Sequence, residues 1–170
     1  MWLKGAFGAT SAEIGSVLGT TGLVFALSNV LVVGRLAALA PEPTMLCVAI
    51  GTIAAGRFLQ AACATTRALF AANVPVAVGG ALSGTLVASL HAREAPPQHL
   101  GYVLGLSESA DGLAGIVAPA VAGRLLEMVA PTAPAITAGC VSVGALVLAA
   151  GVLGVSGVAR EERLAGKKEV

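Results

Sequence analysis

Charge is what this sequence lacks most. Only 11% of its 170 residues are charged and 4% aromatic, while 56% are hydrophobic and the mean hydropathy is +0.90. A soluble domain carries about 25% charged residues, because a solvated surface needs them. This chain cannot cover a globule with polar side chains, which excludes a water-soluble domain. Its net charge of +1 provides no basic or acidic field, and so no nucleic-acid partner. The two histidines, His91 and His99, and the three scattered cysteines, Cys47, Cys63 and Cys140, have no metal-ligand spacing. The cysteines lie in apolar runs and read as small packing residues. Neither a nucleophile–base pair nor a phosphate-binding loop stands out, so neither an enzyme nor a cofactor is expected. The opening MWLKGAFGATSAE has no apolar core ahead of a small-residue cleavage site, so no signal peptide is expected.

What the chain has instead is long apolar runs. Residues 14–33, 45–63, 69–90, 101–126 and 133–157 are each long enough to cross ~30 Å of hydrocarbon at ~1.5 Å per residue. The expected fold is an all-α membrane protein: a bundle of about five transmembrane helices over residues 1–158, in a lipid bilayer, with a tail at 159–170. Pro41 and Pro43 mark Gly34 to Thr44 as a turn, and Pro96 and Pro97 mark His91 to Leu100 as a polar loop. An odd number of spans places the termini on opposite faces. One face carries the three positives Lys4, Arg67 and Arg124; the other carries the six positives Arg35, Arg93, Arg160, Arg163, Lys167 and Lys168. The richer face is the cytoplasmic one by the positive-inside rule, which puts the C-terminus inside and the N-terminus outside. The membrane is a plasma, inner or organelle membrane.

Polar groups inside spans need a reason. In the first span Thr20, Thr21, Ser28 and Asn29 are tolerable facing protein or water, and hydroxyls can also bond back to their own helix. Asn29 needs partners from elsewhere, because its amide has both donors and an acceptor. Arg57 lies ~18 Å into the second span, where it either snorkels to the far interface or joins a buried ion pair. In the third span Pro75 predicts a kink, Gly80 and Gly84 form a GxxxG packing pair, and Ser83 and Thr85 are polar.

The fourth span, GYVLGLSESADGLAGIVAPAVAG, carries acids at its middle. Glu108 and Asp111 are i, i+3 neighbours on one helix face, with Ser107 and Gly115 one turn to either side of Asp111. An acid at the bilayer centre costs roughly 2.5–3.5 kcal/mol. Two close carboxylates also disfavour each other's ionised forms, a property that a proton-coupled carrier uses. Asp111 and Glu108, with Ser107, Asn29 and Thr21, are therefore candidates for a proton, cation or substrate site facing a cavity. The competing readings are a carboxylate solvated in a water-filled vestibule, or one paired with an arginine such as Arg57. Pro119, Gly115 and Gly123 read as bending and close-packing positions.

These segments resemble the C-terminal half of a major facilitator superfamily transporter. Gly34-Arg35-Leu36-Ala37 is similar to the start of that family's loop motif G-x-L-A-D-R-x-G-R-R, although Ala38 replaces its aspartate and Glu42 and Pro43 its basic pair. Gly101, Gly105, Ser109, Gly115, Pro119, Gly123 and Leu125 resemble the pattern of its eleventh helix, which lines the substrate cavity. The resemblance covers about residues 10–158 and implies the eighth to twelfth helices, most of one six-helix half. It implies part of a secondary active, proton-coupled carrier of a small-molecule substrate. The partner would be the missing N-terminal six-helix half or a second chain, so the chain alone is expected to be inactive. The alternative is a small membrane scaffold or accessory subunit that pairs with another helical bundle.

Overall fold

The computed structural model describes residues 10–37, 41–63, 65–130 and 132–166. Lys4, Ala38, Lys167 and Lys168, which entered the loop-charge and motif readings, lie outside the described residues. Among the described residues the fold is entirely helical. Helix α1 comprises Ser11–Leu27, a π-helical stretch Ser28–Val33, and Gly34–Ala37; α2 is Glu42–Ala62 and α3 Thr66–Glu94. A 3-10 turn, Pro97–His99, leads into α4, Leu100–Met128, and α5 is Ala133–Gly166. Among the described residues, five helices are long and apolar enough to cross a membrane: Gly15–Leu36, Glu42–Ala62, Arg67–Glu94, Pro97–Met128 and Ala133–Val152.

Local chemistry sets these ends. Thr10 caps α1 in a capping box: the Glu13 backbone N–H donates to the Thr10 hydroxyl at 3.3 Å, and the Thr10 backbone N–H donates to the Glu13 carboxylate at 2.7 Å. Thr65 caps α3, accepting from the Ala68 N–H at 3.2 Å. The turn expected up to Thr44 ends earlier, because α2 already begins at Glu42. A proline in a helix's first turn gives up an N–H that has no partner there, so Pro43 starts this helix and does not block it. Pro75 and Pro119 sit inside α3 and α4, and both helices continue through them.

Two side chains bond to the backbone where the π stretch begins. The Ser28 hydroxyl donates to the Val24 carbonyl at 2.6 Å, and the Asn29 amide donates to the Phe25 carbonyl at 3.1 Å. Side chains that take carbonyls one turn back compete with the backbone ladder. Asn29 then reaches α3, where its oxygen accepts from the Thr85 hydroxyl at 3.1 Å.

Packing is uneven along the bundle. The buried cluster Val33, Ala49, Ala81, Leu82 and Leu86 joins the end of α1, the start of α2 and the later half of α3, with Leu36, Met45 and Leu46 against it. Arg93 and Glu42 form an ion pair at 3.0 Å beside it, and the Ser89 hydroxyl donates to the same carboxylate at 3.3 Å. α2 packs along α3 and α5, while α1 packs on α3. The α2–α3 approach is close because Gly56 and Gly79 lack side chains. A methyl on Gly79 would lie 2.8 Å from the Ala49 carbonyl, and one on Gly56 2.6 Å from Val76 Cγ2. α4 stands apart: it touches α3 and α5 sparingly, and none of its residues is buried.

Candidate functional site

Away from that packed end the helices diverge around a cavity of about 840 Å³. It lies where α1, α3 and α5 begin and where α2 and α4 end. Its α4 wall runs from Ala114 to Leu125, and its α5 wall from Pro134 to Ser142, both largely apolar. Arg57, Gln60 and Asn73 make up the polar corner on α2 and α3.

The corner is wired in one direction. The Thr21 hydroxyl donates to the Val17 carbonyl at 2.7 Å, which leaves its oxygen to accept from the Asn73 amide at 2.7 Å. The Asn73 oxygen accepts from the Gln60 amide at 2.6 Å, and the Gln60 oxygen accepts from Arg57 Nη1 at 3.2 Å. Each amide thus has its orientation set by the one before it. The chain ties α1, α2 and α3 together and holds the guanidinium at the cavity. A guanidinium has five N–H donors, and this chain occupies one of them. Among the described residues the ion pair formed is Arg93–Glu42, and Arg57 has no carboxylate within ion-pair distance.

The residues singled out from sequence fall in different places. Thr21 joins the polar corner through Asn73. Asn29 lies further along α1 and bonds to Phe25 and Thr85, outside the cavity lining. Glu108 and Asp111 are exposed on α4, and Ser107 is half-buried. Asp111 shares its helix face with Ala114, Ala118 and Ala122 of the cavity wall, one turn before it begins. Pro119 lines the cavity. A methyl on Gly80 would lie 3.6 Å from Phe25 Cε2 of α1, whereas one at Gly84, Gly115 or Gly123 would meet nothing within 4 Å. Pro75 packs against Gly56.

Gln60 and Asn73 were not singled out from sequence. The signal was available, because an amide inside an apolar span needs a partner from another helix, as argued for Asn29. A grouping of His, Cys, Asp and Glu able to hold a metal is not formed among the described residues.

Compared with known proteins, residues 1–169 match the family model of the Major Facilitator Superfamily. No curated protein and no solved structure matches the chain.

Proposed function

The chain belongs to the Major Facilitator Superfamily, an integral membrane family of transporters, and from that membership we propose that its five helices are the eighth to twelfth of a proton-coupled carrier of small molecules. In this reading the helices form most of one bundle, and the substrate is held against a second bundle that another part of the transporter supplies. The C-terminus then lies in the cytoplasm, and the cavity opens towards the outer face.

The observation that carries the reading is the placement of Asp111. An acid exposed on a spanning helix cannot face lipid without a cost of roughly 2.5–3.5 kcal/mol. It lies on the same face as the cavity wall, one turn away. A carboxylate there, beside Glu108, can take up a proton from one side and release it to the other as the bundles rock.

The test is Asp111→Asn in a full-length superfamily transporter that carries these helices. Uptake into proteoliposomes across an imposed pH gradient is expected to lose its gradient dependence, by at least about tenfold, when the titrating group is removed. Uptake and pH dependence unchanged in the variant would defeat the coupling role. The chain alone, reconstituted in the same vesicles, is expected to support no uptake; gradient-driven uptake by it would show that no second bundle is needed.

A further inference from the structure

The acid pair does not account for Arg57. A guanidinium within a spanning helix is costly unless an anion, water or a carboxylate compensates it. No carboxylate of the described residues pairs with it, and its one side-chain partner in the wired corner is the neutral Gln60. Gln60 is held by Asn73, and Asn73 by Thr21, so the guanidinium is oriented before any ligand arrives. Preorganised donors of this kind save the cost of ordering them on binding. The rest of the cavity is of the opposite character: Val117, Val121, Pro134 and Val141 offer apolar surface. A volume of about 840 Å³ lies in the range of small-molecule sites, which pair apolar walls with a few placed polar groups.

We infer that this cavity binds an organic monoanion, with a carboxylate head on Arg57 and an apolar body against α4 and α5. One guanidinium balances one negative charge, and its planar fork matches the two oxygens of a carboxylate. A phosphate dianion would leave a charge uncompensated in the same corner. The inference rests on the carrier reading only in treating the ligand as a substrate, since binding itself is measured without transport.

The probe is 1-naphthoate, with neutral 1-naphthamide as its isosteric partner, titrated against the full chain in phosphatidylcholine nanodiscs. The acid is expected to bind at least about tenfold more tightly than the amide. Arg57→Met is expected to abolish that ratio while leaving naphthamide binding in place, and Arg57→Lys to keep part of it. Retained naphthamide binding and helical circular dichroism show that the variants are folded, and the acid-to-amide comparison on the unaltered chain needs no variant. Equal affinities for acid and amide would overturn the inference, as would a ratio that survives Arg57→Met. In the full-length setting the two proposals separate. Naphthoate bound through Arg57, with uptake and its pH dependence unchanged in Asp111→Asn, leaves this site standing and removes the coupled-carrier reading. Gradient-driven naphthoate uptake untouched by Arg57→Met does the reverse.

Discussion

Thr10 and Glu13 hold the start of α1 through reciprocal bonds, and the Glu13 carboxylate also accepts from the Thr10 hydroxyl at 3.0 Å. The Thr10 backbone bond, with the hydroxyl bond added, holds the Glu13 carboxyl below the usual glutamate range. A folded pKa below the unfolded one means the cap's contribution is fully present above the ordinary glutamate range. It is lost as pH falls through the lowered folded value. Amide hydrogen exchange over the first turn of α1 is therefore expected to be pH-independent in its protection near neutrality. Protection should weaken on acidification well below the ordinary range. Glu13→Gln should remove that acid-dependent step; if the variant keeps the same profile, another group sets it. At the same scale, Gln60 and Asn73 show what single residues conceal. Their chemistry was readable as amides in apolar runs, but which amide meets which depends on helix rotation. That rotation is set by packing between helices and not by spacing along one.

Between helices, glycine placement decides how close two axes come. Spacing directs attention to Gly80 and Gly84, yet the tight contact of α2 with α3 runs through Gly79 and Gly56. One residue along a helix is about 100° around it, and the small-xxx-small pattern does not choose between neighbouring rotations. Gly79→Ala is expected to force apart α2 and α3, because its methyl would meet the Ala49 carbonyl at 2.8 Å and Ile53 Cγ1 at 2.8 Å. Overpacking of this kind costs about 1–3 kcal/mol. Gly84→Ala should be neutral to stabilising by up to ~1 kcal/mol, since nothing lies within 4 Å and alanine is the better helix former. Unfolding in sodium dodecyl sulfate followed by circular dichroism measures both, and equal midpoints for the two variants would contradict the assigned contact. The five spanning helices themselves were legible because stretches poor in charge are unambiguous at this length. The π-helical stretch was not, because no residue type or spacing marks where a helix changes its ladder from i−4 to i−5.

Across the whole molecule, one end is closed and the other is not. Val33, Ala49 and Leu86 pack beside the Glu42–Arg93 pair, while α4 lies against open space with Leu113 65% and Ile116 73% exposed. Lipid can cover those two side chains at no cost, since hydrocarbon is as apolar as they are. It cannot so cover Asp111, about 160° round the same helix from Leu113. The two faces are thus expected to meet different surroundings, lipid on one and water or a second bundle on the other. Thiol chemistry distinguishes them, because the thiolate is the reactive form and needs water to ionise. With Cys47, Cys63 and Cys140 replaced by alanine, Asp111→Cys in a bilayer is expected to react with a charged maleimide at least about tenfold faster than Leu113→Cys. Equal, slow rates would place both faces in hydrocarbon and remove the basis for a cavity-facing acid. A fast rate at Asp111→Cys that falls when these helices are joined to a first six-helix half would identify that face as the one the second bundle covers.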